Sequence, residues 1–271
     1  VKMNGVWRGR VASVGGRSLL IDSYHRSPLK IAKPFAGPDG ELLLYLMDSS
    51  PGLFNGDVQE LECTVEKGAS LFLTNQSSCK LHPSVIPAES YQSIRFYVNE
   101  GANLEYFPEP VVPYSGACFR SDMEVHLDKG GQAIIADILT PGRSGRGECF
   151  MYERIMNRVS IFWDNKLAAY DAFSLEPGTS TSLEWVVGFY THIGTLWVLS
   201  ERIGEKHIEL MRKELSAMDG SIYSGVSMLA RNGLVIKMFG HSAEQLRQAI
   251  ESCWAIARRF LFQKGALSVR K

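Results

Sequence analysis

The order of apolar and polar positions divides the chain into a long strand-forming part and a short helical one. Ile94, Phe96 and Val98 point one way while Arg95 and Tyr97 point the other, the period of two of a half-buried strand. Three segments share one template: Thr64-Val65-Glu66-Lys67-Gly68-Ala69-Ser70-Leu71, Tyr97-Val98-Asn99-Glu100-Gly101-Ala102-Asn103-Leu104, and His126-Leu127-Asp128-Lys129-Gly130-Gly131-Gln132-Ala133. Each reads strand, polar turn, strand. Gly68, Gly101 and Gly130 fall 33 and 29 residues apart. Glycine at the tip of a tight, hairpin-like turn takes a positive φ with no Cβ to clash.

Two further hairpins are predicted. Asp164-Asn165 separates Val159–Trp163 from Leu167–Tyr170, and Asn232-Gly233 separates Ser227–Ala230 from Leu234–Met238. Asn-Gly suits a type I′ turn, in which both central residues take positive φ. Helical spacing appears only late. Ile208, Met211, Leu215 and Met218 recur at steps of three and four, and Asp219-Gly220 ends the run. A second helix begins at Ser242 with Gln245 three residues on, a capping-box arrangement. Leu246, Ile250, Cys253, Ala257 and Phe260 or Leu261 form its apolar stripe; Glu244, Arg247, Gln248, Glu251 and Arg258 form the wet face. The expected fold is therefore mainly β, a β-helix or solenoid-like stack of strands with a small C-terminal helix–hairpin–helix part. No composition break divides residues 1–271, so one domain is expected, β-rich over about 1–200 and helix–hairpin–helix over about 201–271.

Composition narrows the function. The chain has 271 residues, with 29 Lys plus Arg against 29 Asp plus Glu. A zero balance, with no basic run longer than Arg258-Arg259, argues against nucleic acid as the main partner. It also removes charge repulsion as an aid to solubility, so the chain alone is expected to aggregate. The five cysteines, Cys63, Cys79, Cys118, Cys149 and Cys253, are odd in number and form no C-x-x-C pair, which argues against a zinc site or disulfide framework. Val1–Arg10 has no signal-peptide pattern, and the apolar stretch 185–200 is too short for a membrane helix. The expected compartment is the cytoplasm.

P-loop, dinucleotide-binding, H-E-x-x-H and G-x-S-x-G motifs are missing from the sequence. Cys79-Lys80-Leu81-His82 reads either as a borderline metal site or as a buried thiol beside a loop histidine. Asp57 follows Gly56 in a turn-rich loop, Asp137 sits inside the apolar run 133–139, and Asp171 lies between Tyr170 and Ala172. A carboxylate in an apolar strand needs a partner. Either a basic side chain supplies it, or these residues line a water-filled path that holds a cation loosely. The loop Gly142–Phe150 reads as a solvated connection or as an anion or partner contact through Arg143.

Ser27-Pro28-Leu29-Lys30-Ile31-Ala32-Lys33-Pro34-Phe35, then Ser50-Pro51-Gly52-Leu53-Phe54-Asn55-Gly56-Asp57, open a series of motifs in order. Leu73-Thr74-Asn75-Gln76-Ser77-Ser78-Cys79-Lys80, Asn103-Leu104-Glu105-Tyr106-Phe107-Pro108-Glu109 and the Gly142-Arg143…Gly147-Glu148-Cys149-Phe150 loop follow, then Ile193-Gly194-Thr195-Leu196 and the Trp254 helix. Together they resemble the urease accessory protein D family, called H in some organisms, over nearly the whole chain. Pro51 and Asn55 replace two glycines of the family's loop; Asn tolerates the left-handed region.

The resemblance implies a non-enzymatic, β-helical scaffold that binds apo-urease and accessory protein F. Through F it engages the GTPase, accessory protein G, which brings nickel. No cofactor is tightly bound; nickel is transient cargo. Nucleic acid and membrane are not among the implied partners. Family acidic positions along an internal nickel path match Asp57, Asp137 and Asp171, with Cys79 beside them. Gly52, Gly56, Thr74, Gln76, Lys80, Gly142, Arg143, Gly147, Glu148 and Phe150 carry the structural or partner motifs. Two alternatives are kept: a β-solenoid carbohydrate-active enzyme using Glu105, Glu109 and Asp122, and an interaction module that handles no metal.

Overall fold

The structure, a computed structural model, describes residues 3–54, 56–83, 88–178, 188–218, 220 and 222–267. The chain begins with β1 (Asn4–Val14), β2 (Arg17–Arg26), β3 (Leu29–Ile31), β4 (Phe35–Ala36) and β5 (Leu42–Asp48). Coils follow: β6 (Val58–Val65), β7 (Ser70–Asn75) and β8 (Cys79–Leu81), then β9 (Ser90–Val98), β10 (Asn103–Phe107) and β11 (Val111–Pro113), then β12 (Cys118–Leu127) and β13 (Gln132–Leu139). Next come β14 (Arg154–Trp163), β15 (Lys166–Leu175), β16 (His192–Leu199) and helix α1 (Glu205–Ser216). Strands β17 (Ile222–Met228) and β18 (Gly233–Gly240) precede helix α2 (Ala243–Phe262).

One sheet has the order β15-β14-β12-β9-β6-β1-β2, and the other runs β17-β18-β16-β13-β10-β7-β5-β3. The coil strands pair in parallel, β6 with β9 and β9 with β12 in the first sheet, β7 with β10 and β10 with β13 in the second. This is the mainly β, solenoid-like stack expected from the repeats. The glycine turns do not close hairpins, however. Gly68, Gly101 and Gly130 sit at corners, because β6 and β7 belong to different sheets, as do β9 and β10, and β12 and β13. The corners stack through backbone bonds, Asn99 N–H to Val65 O (3.0 Å) and Asp128 N–H to Val98 O (2.9 Å).

Asp164 and Asn165 do close the β14–β15 hairpin, both at positive φ. At the β17–β18 hairpin only Asn232 takes positive φ; Gly233 is already the first strand residue. It is a close-approach glycine, since a Cβ there would stand 2.9 Å from Val198 O.

Two apolar clusters fill the space between the sheets. One, near the glycine corners, includes Trp7, Phe96, Val125 and Leu199; the other, at the opposite rim, includes Leu53, Leu81, Phe119 and Leu175. A third joins the outer face of the second sheet to the helices, with Phe72, Ile134, Leu196, Met211 and Trp254. Strands β6 and β12 therefore alternate in burial, whereas β16 is buried on both faces.

Helix α2 starts as its sequence predicts, with Ser242 Oγ accepting the Gln245 N–H. One residue departs from the expected wet face. Arg258 is fully buried, and its guanidinium donates to Glu105 Oε1 over 2.9 Å and to Glu41 Oε1 over 3.2 Å. Trp254 Nε1 donates to Glu105 Oε2, and Lys264 Nζ to Glu41 Oε2. The helix covers two carboxylates of the sheet, and a buried guanidinium is the group that compensates them.

Candidate functional site

Between the corner cluster and the rim cluster the inward positions turn polar. Along β12 they read Phe119, Ser121, Met123, with Phe119 in the rim cluster and Met123 in the corner cluster. Along β14 they read Ile155, Asn157, Val159 in the same way. The register carries this position from strand to strand. Gln59 pairs with Gln92, Gln92 with Ser121 and Ser121 with Asn157. In the second sheet Asp137 pairs with Thr195, and Thr195 with Lys237. The result is a file of polar side chains that crosses the strands inside the sandwich.

Hydrogen bonds link its members. Gln59 Nε2 donates to Asp48 Oδ2 (2.7 Å), and Gln92 Nε2 to Gln59 Oε1 (3.0 Å). Asn157 Nδ2 donates to Asp137 Oδ2 (3.2 Å), joining the sheets. At the far end Lys237 Nζ donates to Asp171 Oδ2 and to Thr195 Oγ1 (3.3 Å). Asp137 also lies beside Lys237 and accepts from Thr195. Burial nevertheless holds its carboxyl above the usual range, and those neighbours pull the other way.

Three cavities adjoin the file from Asp48 as far as Asp137, the third on the outer face of the second sheet under α2. The first, about 50 Å³, is walled by Asp48, Gly52, Gln59, Asn75, Cys79 and Lys80, among others. The second, about 60 Å³, shares Asn75 and Cys79 with it and reaches Gln92, Ser121, Asn157 and Asp137. The third, about 300 Å³, shares Pro108, Glu109, Asp137 and Ile138 with the second and opens beside Arg247, Glu251 and Trp254 of α2. A water needs roughly 10–15 Å³ of such space and two to four polar partners, so each cavity is large enough for water.

The predicted residues divide accordingly. Asp137 and Asp171 come together through Lys237. Cys79 borders the first two cavities, but burial and Asp48 push its thiol up to about 12. At neutral pH it is a thiol, a weak ligand compared with a thiolate. Asp57 stands apart: its oxygens accept the backbone N–H groups of Met3 (2.8 Å) and Phe54 (2.9 Å), so it caps the loop. Asn55 lies outside the described residues.

The remaining motif residues shape loops and edges. Gly52 has φ +142, and a Cβ on it would stand 2.4 Å from Lys80 O. Gly56 takes φ +71 in the same loop, whose Pro51 O is bonded by His82 Nε2 (3.2 Å). His82 stacks on Phe54, with ring centroids 4.1 Å apart. Among the described residues no group of three or more His, Cys, Asp and Glu side chains is placed to hold a metal ion. Thr74 Oγ1 donates to Phe107 O (2.5 Å), while Gln76 and Lys80 are exposed.

The Gly142–Phe150 loop is closed on itself. Arg143 donates twice to Glu148 and lies 3.9 Å over the Tyr114 ring, and Glu148 also accepts the Ser115 N–H. Gly147 and Phe150 both take positive φ. The Arg143 guanidinium is thus engaged within the loop. Of the three carboxylates weighed for a carbohydrate enzyme, Glu105 is paired with Arg258 in the second sheet and Asp122 with Arg120 in the first.

Asp48, Gln59, Gln92, Asn157 and Lys237 are not singled out from sequence, and Thr195 enters there only as part of the Ile193–Leu196 motif. Their signal is an amide, hydroxyl or charge at the inward phase of an alternating strand, and it becomes visible only once the register is known.

The family model described as UreD urease accessory protein matches residues 4–271. The chain belongs to the UreD urease accessory protein family. It is 26% identical over 272 residues to the urease accessory protein UreD of Bacillus sp. (strain TB-90), covering 100% of both chains. It is 30% identical to UreD of Paenarthrobacter aurescens (strain TC1), with 98% of this chain and 96% of the relative covered. It is 28% identical to the urease accessory protein UreH of Helicobacter pylori (strain G27), with 92% of each covered. Membership in the UreD family implies a role in urease maturation alongside urease and its other accessory proteins. Among the described residues no helix is long and apolar enough to cross a membrane.

Proposed function

We propose that this UreD-family chain is a cytoplasmic, non-enzymatic scaffold that holds apo-urease, binds accessory protein F, and passes nickel received from the GTPase accessory protein G. The observation that carries the transit reading is the polar file through Asp137, with cavities sharing walls along its stretch from Asp48 to Asp137. Its donors are carboxylate, amide and hydroxyl oxygens, with a protonated thiol at Cys79. Such a set holds a borderline divalent ion weakly, whereas a cage of thiolates and imidazoles would retain it. Weak, serial contacts suit transfer to a tighter site at the far end.

The test is co-expression with urease subunits and the other accessory proteins, followed by measurement of nickel per urease active site. Asp137→Asn is expected to lower nickel content and activity together, with complex assembly intact. Unchanged nickel content would remove the transit reading and leave an interaction module.

A further inference from the structure

The far end of the file holds a charge that a cation path would not be expected to contain. Lys237 projects inward from β18, beside Thr195 of its own sheet, and reaches Asp171 on β15 of the other sheet. Its ammonium lies 5.8 Å from the centroid of the Trp197 ring. Asp137 flanks Thr195 on the side opposite Lys237, near enough for the Lys237 charge to lower its proton affinity and the Asp171 charge to raise it, without ion-pair contact. A cationic head is therefore placed among Asp137, Asp171 and Thr195, the oxygen donors a divalent ion would meet there. The Lys237 and Asp171 side chains are 34% and 29% exposed, so the pair is partly open to solvent.

We propose that Lys237 is the resident counter-cation of the file and sets how tightly the file holds a divalent ion. The proposal rests on the transit reading and adds its regulation. With Lys237 in place, Asp137 and Asp171 are compensated, and an arriving ion must displace an ammonium to engage both. Its net hold is the difference between two cation sites, which keeps it low. The four-carbon stem has the rotatable bonds to let the ammonium move aside and return. Removing the charge leaves two carboxylates and a hydroxyl for a divalent ion alone. Lys237 is here a positioning residue for charge, not a ligand.

The experiment measures Ni²⁺ binding to the full chain, carried as a soluble fusion, by equilibrium dialysis. Lys237→Gln is expected to bind Ni²⁺ at least tenfold more tightly than the natural chain, and Lys237→Arg to match it. Asp171→Asn added to Lys237→Gln is expected to abolish the gain. Lys237→Met, which keeps an apolar stem against Trp197, replaces the first variant if circular dichroism shows that Lys237→Gln does not fold. Equal affinity in the folded charge-removed variant and the natural chain overturns the proposal. So does a gain that persists with Asp171→Asn. Because this readout needs no urease, it is independent of the nickel-content test of Asp137→Asn, and either can fail while the other holds.

Discussion

Asn157 bridges the sheets by donating from Nδ2 to Asp137 Oδ2 over 3.2 Å, at the point where the file passes from one sheet to the other. The amide is half-buried and lines the second cavity with its partner. Asn157→Leu keeps the approximate volume, leaves Asp137 short of a donor, and places an apolar group in the water-sized space. Loss of one buried hydrogen bond to a charged group costs about 1.5–3 kcal/mol. The expected outcome is a modest fall in Tm with a larger fall in urease nickel content. Asp57→Asn, which weakens a loop cap, is expected to lower Tm while stoichiometric nickel loading survives. A matched loss of nickel in both variants, in proportion to stability, would show that the file has no special role.

The glycines differ sharply in what they tolerate. Gly68 has φ +69 with open space around it, so Gly68→Ala is expected to cost about 1–2 kcal/mol, the penalty for a left-handed residue. Gly52→Ala adds to its φ of +142 a Cβ that would sit 2.4 Å from Lys80 O, a backbone atom. The expected loss is about 3 kcal/mol or more. Urea unfolding of both variants checks the ordering, which reverses if the Gly52 loop can shift freely.

Arg258 decides whether α2 stays on the sheet. Arg258→Met leaves the buried Glu41 and Glu105 without their guanidinium, and breaking a buried pair this way costs about 3–5 kcal/mol. Thermal unfolding is expected to move down by many degrees. Arg258→Met combined with Glu41→Gln and Glu105→Gln is expected to recover most of the loss, since the carboxylates go with their partner. Failure of the triple variant to recover would place the effect in side-chain volume rather than charge.

The same pair gives a pH dependence. Burial pushes Glu105 up to about 7, against the opposing pull of Arg258 and Trp254. Its unfolded carboxyl titrates near 4.5. Between those values the folded state binds the extra proton, so this group's contribution is fully present below about 4.5 and is lost as pH rises through about 7. The stability difference between the natural chain and Glu105→Gln is therefore expected to shrink from pH 4.5 to pH 7 and flatten above it. A difference independent of pH would mean that Glu105 titrates alike in both states.

How much of this was legible in the sequence depends on whether the signal was local. The α2 stripe and its Ser242 cap were, because both depend on residues within one or two helical turns. Arg258 was misassigned by its charge, although it follows Trp254 by four residues and precedes Leu261 by three on the buried side. Glycine corners looked like hairpins because both need positive φ. The contrast between alternating β6 and the continuous apolar run of β7 is what separates the sheets. Asp137 stood out as a carboxylate in an apolar strand. Its partners Asn157, Thr195 and Lys237 did not, because they lie on other strands and only the register brings them to it.

The neutral chain was expected to aggregate alone, and the first sheet shows where that would begin. Strand β2 is the sheet's edge and pairs only with β1 among the described residues, with the Ser18 N–H alone turned to Gly40 O. It exposes Leu19 and Ile21 at 46% and 47%, with Tyr24 further along. An open edge carrying apolar side chains is a template for another strand, and zero net charge provides little repulsion. The shift in β1–β2 register beside Ile21 blunts only part of it. Leu19→Lys is expected to raise the concentration at which light scattering first detects association, with unfolding free energy unchanged within about 0.5 kcal/mol. Leu210→Lys, at an equally exposed apolar site (47%) on helix α1 and on no sheet edge, serves as the control. If Leu210→Lys suppresses association as strongly as Leu19→Lys, net charge rather than the β2 edge governs it.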